Sequence, residues 1–223
     1  MNRIEEIKKE IAELGIKRIK VKLNSYDNAI GYFKSIMTEM LKQKNETLEW
    51  EPVEKIVRFL INWTYMIGDD INFTKGFILK GDTGRGKTFV LRAWLYFLSF
   101  DMIGYVKNGN TVVINPHVIN VKTIAGEYQD PTNGGYQVIQ KYASMGCIIL
   151  DDIGKEDEFS RSYGNKVNVI EEIINIREEN EMLTFGTTNI ERMTDIYDDR
   201  TVSRMNKLFT PFSINHETDF RKQ

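Results

Sequence analysis

Eight residues, Gly81-Asp82-Thr83-Gly84-Arg85-Gly86-Lys87-Thr88, restrict this chain more than any other stretch of it. They fit G-x-x-x-x-G-K-[ST] throughout, between a short apolar run, Gly76–Lys80, and an apolar helical pattern, Thr88–Ser99. Glycines let such a loop curl until backbone N–H groups point inward, where phosphate oxygens are held. The helix that follows adds its positive N-terminal end. Lys87 supplies a point charge for β- and γ-phosphates, and Thr88 a hydroxyl for Mg²⁺. Gly81 to Thr88, with Phe89 as the next helical residue, are therefore the candidate ATP-binding residues. A Gly-rich turn without a ligand is the alternative, and the strand before it and the helix after it argue against that.

The second signal is Ile148-Ile149-Leu150-Asp151-Asp152, an apolar strand ending in two carboxylates. By itself such a run is more often a strand leaving the core for solvent. With the phosphate loop upstream, a strand beside it brings both acids to the γ-phosphate and the metal. Asp151 then orients Mg²⁺, and Asp152 positions or activates the attacking water. Thr187-Thr188-Asn189 closes a third candidate strand, Leu183–Thr187. By spacing alone Asn189 is equally a phosphate or water contact and a helix cap, because Ile190–Met193 can open a helix. Arg200 and Arg204 lie four apart, on one helical face. They are either fingers that stabilise a transferring phosphoryl group in a neighbouring subunit or a solvated face paired with Asp198 or Asp199. Asn165-Lys166-Val167-Asn168 approaches the guanine-reading N-K-x-D pattern but ends in Asn. It also reads as opening a helix rather than closing a strand, which favours ATP over GTP.

Around these motifs the chain has two textures. Up to about residue 70 it reads as helices: a stripe Ile4, Ile7, Ile11, Leu14, a pattern from Ile30 to Leu41, and another from Val53 to Met66. Beyond that, strands and helices alternate. Strand candidates are Gly76–Lys80, His117–Val121, Cys147–Leu150, Leu183–Thr187 and Leu208–Ile214. Helices are expected at Thr88–Ser99, Ile124–Tyr128 and Val167–Glu179. Such alternation implies a parallel sheet covered on both faces.

Together these segments resemble the AAA+ ATPases of the DnaC helicase-loader and IstB transposition-helper group. The resemblance covers roughly residues 55–223. It rests on GDTGRGKT, IILDDIG, FGTTNI, DRTVSRM and the closing segment Glu217 to Lys222, with D-D-[IL]-G the most telling part. It implies an α/β P-loop NTPase of the AAA+/ASCE type, a three-layer sandwich with a parallel five-stranded sheet in the order 5-1-4-3-2. An N-terminal helical segment precedes it, and no complete C-terminal lid follows. The expected division is an extension, 1–54, and an ATPase domain, 55–223. The resemblance matches Asn189 to sensor one and Arg204 to the trans-acting arginine finger, with Arg200 a second contact.

The function so implied is ATP hydrolysis, slow or partner-stimulated, in an ATP-dependent oligomer that loads a DnaB-like replicative helicase onto single-stranded DNA. The N-terminal helix is either the handle for that helicase or a helix packed on its own core. Alternatives are an IstB-like helper on duplex DNA and, from another class, a P-loop kinase or low-turnover nucleotide-binding scaffold. The formal charge of −2 gives no global field for capturing DNA, so a local patch such as Lys17, Arg18, Lys20 and Lys22 must serve, unless those residues are simply solvated. No apolar run approaches the roughly 18 residues that span a bilayer, and the charged start is unlike a signal peptide, so a cytoplasmic protein is expected. The single cysteine, Cys147, reads as a buried thiol. His117 and His216 lack ligand-spaced companions for a structural metal.

Overall fold

The computed structural model of the chain describes residues 18–19, 26–68, 72, 74–100, 104–107, 110–156, 160–162 and 165–214. The stripe Ile4 to Leu14, the basic residues Lys17, Lys20 and Lys22, His216 and the segment Glu217 to Lys222 lie outside the described residues.

Along the chain come β1 (Arg18–Ile19), α1 (Tyr26–Lys42), α2 (Trp50–Tyr65), β2 (Gly76–Lys80), α3 (Lys87–Phe100), β3 (Gly104–Lys107) and β4 (Asn110–Val113). They are followed by β5 (His117–Asn120), α4 (Val121–Gln129), α5 (Tyr136–Ala143), β6 (Cys147–Ile153), β7 (Ser160–Ser162) and β8 (Asn165–Val167). The last elements are α6 (Val169–Glu179), β9 (Leu183–Thr188), α7 (Asp199–Leu208) and β10 (Phe209–Ser213). The chain divides into two compact units: residues up to Thr74 with Phe89–Asn115, and Lys75–Thr88 with Pro116 onward. Position 54/55 falls inside α2.

In the first unit, α1 and α2 bury the faces that their periodicity marks: Ala29, Phe33 and Met37 on one, Val53, Ile56, Val57, Leu60 and Trp63 on the other. Trp63 meets Trp94 of α3 edge-on, with centroids 5.8 Å apart, and the Trp94 indole N–H donates to Thr64 Oγ1 at 2.9 Å. Large rings with a satisfied polar tip supply much of the burial available to so few residues. β3 pairs antiparallel with β1 and with β4.

The second unit contains the five-stranded sheet, in the order β10-β2-β9-β6-β5, every neighbouring pair parallel. Counted along the chain, these strands run 5-1-4-3-2, the order implied by the resemblance. Strands of such a sheet are buried on both faces and read as continuous apolar runs; Cys147 to Leu150 is buried at every position. An apolar cluster joins Ile78, Ile148, Leu150, Ile153 and Phe209 of the sheet to Val121 and Ile124 of α4, Val138 of α5, Ile173 of α6 and Met205 of α7.

Two elements differ from expectation. Nothing in the sequence reading lies between Tyr128 and Cys147, where α5 forms; its apolar face is only four residues, Val138, Ile139, Tyr142 and Ala143. Asn165–Val167 does not open a helix but forms β8, paired with β7. The helix waits until Val169 because the Asn168 side chain caps it, accepting from Glu171 N at 3.2 Å. Asn165–Val167 therefore does close a strand, and what separates the segment from N-K-x-D is the Asn in place of the final Asp and its closeness to Asp151.

Arg177, near the end of α6, is fully buried. Its Nε donates to Thr184 Oγ1 (2.9 Å) and Nη2 to Leu183 O (2.8 Å). Nη1 donates to the carbonyls of Tyr142 (3.1 Å), Ala143 (3.1 Å) and Met145 (2.6 Å). Tyr142 and Ala143 sit at the negative end of α5, which favours a cation there. Arg177→Met should therefore strand four buried carbonyls and lower stability by about 3 kcal/mol. In urea denaturation the midpoint should fall with the slope unchanged.

Candidate functional site

β2, β6 and β9 are adjacent and parallel, so their C-terminal ends lie side by side, and each delivers part of one constellation. After β2 the loop curls through Gly84 (φ 87°) and Gly86 (φ 79°), backbone angles that favour glycine. At the start of α3 the buried Lys87 turns back into the loop. Its Nζ donates to the carbonyls of Gly81 (2.5 Å) and Asp82 (2.9 Å) and to Asn189 Oδ1 (2.5 Å) at the end of β9. Asn189 also donates through Nδ2 to Thr83 Oγ1 at 2.9 Å, so both ends of its amide are engaged with the loop and its lysine. Its side chain is not a helix cap: the next helical turn is a 3₁₀ turn, Met193–Asp195, capped at Arg192. Arg85 pairs with the exposed Asp82 at 3.4 Å, and Phe89 continues α3, partly buried.

β6 ends irregularly. Leu150 pairs with Gly186 and Ile153 with Thr188, so β6 carries one residue more than β9 across this step. Asp151 and Asp152 occupy the bulge, and Asp152 adopts φ 64°, a left-handed conformation that Asp tolerates better than most residues. Asp151, 7% exposed, receives the Thr88 hydroxyl at 3.1 Å (Oδ1) and 3.4 Å (Oδ2), and the Thr187 hydroxyl at 2.7 Å. Thr187 Oγ1 also accepts from Asp152 N at 2.8 Å, fixing the bulge from β9. The Asp152 carboxylate takes a donor from the other side, Asn120 Nδ2 at 3.3 Å, where β5 ends. Asn120 simultaneously caps α4 through Oδ1.

The turn that follows is closed by Lys155 N to Asp152 O at 3.0 Å. Gly154, with φ 88°, is its third residue, where a type II turn calls for glycine. A Cβ on Gly154 would also stand 2.7 Å from Ile190 Cγ1. Glu156 finishes the turn, its Oε2 accepting from Gly154 N at 2.9 Å and its Oε1 from the Tyr197 hydroxyl. Burial raises the Glu156 carboxyl above its ordinary range, against hydrogen bonds that lower it. Burial, followed by the Glu156 charge, also raises the Tyr197 phenol.

The arginines lie elsewhere. Arg204 is on the seam of α6 and α7, its Nη1 2.8 Å from Glu179 Oε1 and 3.7 Å from Glu178 Oε2, and donating to Asn175 O at 3.1 Å. Its acidic neighbours are therefore on α6 and not Asp198 or Asp199. Arg200 is exposed in the first turn of α7. Asp198 caps that helix, and the Thr201 N–H and hydroxyl hold its carboxyl below the usual range, with a smaller contribution from Arg200.

Sequence reasoning gave no role to Asn120, Thr187, Glu156 or Tyr197. Asn120 was findable as a polar amide ending a strand, had β5 been known to neighbour β6. Magnesium suits the pairing of Thr88 with Asp151, because Mg²⁺ keeps several waters and takes one or two carboxylates beside phosphates. The buried lysine under a curled, N–H-bearing loop suits a polyphosphate. Among the described residues no group of three or more His, Cys, Asp or Glu could hold a metal ion, and no helix is long and apolar enough to cross a membrane.

No protein-family model and no curated protein sequence matches the chain. Solved structures do. The chain is similar to a structure of DnaI, with a TM-score of 0.55 and 20% identity over 80% of this chain and 89% of that one. It is similar to the DnaC helicase loader, with a TM-score of 0.52 and 17% identity over 74% and 91%. It is also similar to DnaA from Aquifex aeolicus with AMPPCP bound, with a TM-score of 0.50 and 17% identity over 77% and 49%. At these identities the likeness is one of fold, and it is the fold implied by the resemblance to the DnaC group.

Two outcomes follow from the bulge and its turn. Thr187→Val keeps the shape but removes both hydroxyl hydrogen bonds, and thermal unfolding should show a loss of about 1–3 kcal/mol. A carboxyl raised on folding contributes stability that is fully present below its unfolded value, near 4.5, and lost as pH rises through the folded value. Glu156→Gln should therefore gain on the wild type in unfolding free energy as pH rises from about 4 to 8, and a constant difference would refute this.

Proposed function

We propose that this chain is an AAA+ ATPase of the DnaC type, which binds ATP with Mg²⁺ and hydrolyses it in the service of replicative helicase loading. One observation carries the reading: Lys87, Thr88, Asp151 and Asn189 converge where three neighbouring parallel strands end or hand over to the loop. A fold shared with a helicase loader and with a nucleotide-bound DnaA structure supports it.

In this reading the N–H groups of Gly81 to Thr88 cradle the phosphates, and Lys87 exchanges its loop carbonyls for β- and γ-phosphate oxygens. Thr88 and Asp151 hold Mg²⁺, whose charge offsets that of the phosphate oxygens. Asp152 positions the attacking water and receives its proton, while Asn120 keeps that carboxylate turned aside until the substrate is seated. Asn189 contacts the γ-phosphate or the water. Arg204, and secondarily Arg200, acts in a neighbouring subunit, so turnover requires self-association; Arg204 must first leave Glu178 and Glu179. Residues 1–54 serve as the extension that contacts a DnaB-like helicase and 55–223 as the ATPase domain. Single-stranded DNA is the nucleic-acid partner and the cytoplasm the setting.

The test is ATP turnover with and without single-stranded DNA. Lys87→Ala should lose about 10²-fold or more, and Arg204→Ala about 10³-fold. Mixed one to one, the two variants should regain activity at about one interface in four by random assortment in a ring or filament. An Arg204→Ala chain as active as wild type, indifferent to DNA, would end the finger assignment and favour a kinase or scaffold.

A further inference from the structure

We propose that Glu156 and Tyr197 are positioning residues that couple the Asp151–Asp152 turn to α7, the helix carrying Arg200 and Arg204. This rests on the ATPase reading above and adds to it a route by which the state of the phosphate site reaches the arginine helix.

The route is short and made of directed contacts. Asp152 opens the turn, closed onto its carbonyl by Lys155 N. Two residues on, Gly154 N–H donates to Glu156 Oε2, and Glu156 Oε1 accepts the Tyr197 O–H. Tyr197 is 3% exposed, and its own N–H is held by Met193 O at 2.9 Å. The next residue, Asp198, caps α7 by accepting from Thr201 N at 2.7 Å. Between the candidate catalytic carboxylate and the first turn of α7, each step is therefore a covalent neighbour or a hydrogen bond.

Two features distinguish this from ordinary packing. First, the turn has little slack. Gly154 abuts Ile190, the residue after Asn189, and Thr188 Oγ1 holds Ile153 O at 2.8 Å. A change in the left-handed Asp152 is then passed on rather than absorbed. Second, the link is electrostatically unfavourable. Glu156 is held by neutral donors, the Tyr197 hydroxyl and backbone N–H groups of its own turn, and its charge reaches Glu171. Burial raises the Glu171 carboxyl too, helped by Asp198 and Glu172. A carbonyl oxygen would satisfy the Tyr197 hydroxyl at a smaller desolvation cost than a buried carboxylate. What the carboxylate adds is two acceptor oxygens that grip the turn and the phenol at once.

The experiment uses the full chain with magnesium and ATPγS, measuring affinity by nucleotide titration, turnover with ATP, and amide exchange across Asp199–Leu208. In the wild type, ATPγS should slow exchange in the first turns of α7 by about threefold or more. Tyr197→Phe should bind ATPγS within about twofold of wild type yet lose that response, with turnover down about tenfold. Glu156→Ala should behave alike, and the double variant should be no worse than either single one. Glu156→Gln keeps an acceptor for Gly154 N and a partner for the phenol, and should retain the response. If Tyr197→Phe is unfolded at the assay temperature, the contrast between Glu156→Ala and Glu156→Gln carries the same test. An α7 response in Tyr197→Phe equal to that of the wild type overturns the coupling, as does affinity falling in step with turnover. A wild-type chain that binds no ATPγS fails at the earlier step, the ATPase reading itself.

Discussion

The extra residue that β6 carries against β9 between Leu150 and Ile153 decides where both carboxylates of the candidate site point. In an unbroken strand, consecutive side chains leave on opposite faces and only one of two neighbouring acids reaches the strand end beside the loop. The bulge, with Asp152 at φ 64°, releases that constraint: Asp151 reaches Thr88 and Thr187, and Asp152 reaches Asn120. Thr187 makes the irregularity a defined geometry by binding the carboxylate of one acid and the backbone N–H of the next. Shifting β9 by one residue against β6 would place Gly186 or Thr188 there, and neither would stand in the same position to serve both.

How much of this was legible beforehand depends on how local each signal is. The phosphate loop is contiguous, and its glycines, lysine and threonine state their geometry in the order in which they act. The central strands were readable because a parallel sheet buried on both faces leaves runs such as Ile148-Ile149-Leu150 with no polar residue to interrupt them, while the edge strands β5 and β10 are only partly buried. Asn120 was not legible, because its meaning comes from lying next to Asp151 across the sheet, a fact of strand order. Asn189 was ambiguous in sequence because a cap and a ligand contact use the same amide. The bonds to Lys87 and Thr83 are long-range and show only in the fold. β8 was misread because Val167 and Asn168 look like a helix entry when the cap residue is not separated from the strand before it.

Arg204 shows a different limit. Its position on a helix was readable, but its acidic neighbours Glu178 and Glu179 come from α6, and Lys207 shares Glu178 at 2.9 Å. Such a seam places two cations over two carboxylates, and Arg204, 13% exposed and bonded also to Asn175 O, must be drawn out of it before it meets another acceptor.

The buried guanidinium of Arg177 has a consequence for how the second unit comes apart. Acceptors for it come from the end of α5, the segment before β6, and the start of β9. Detaching any one of these segments leaves buried donors of the guanidinium unsatisfied, so each segment is held to the others through the same side chain. These stretches are separated by up to 35 positions in sequence from the arginine that gathers them. They should therefore open and close as one cooperative block, sharing a single protection level along their backbone amides.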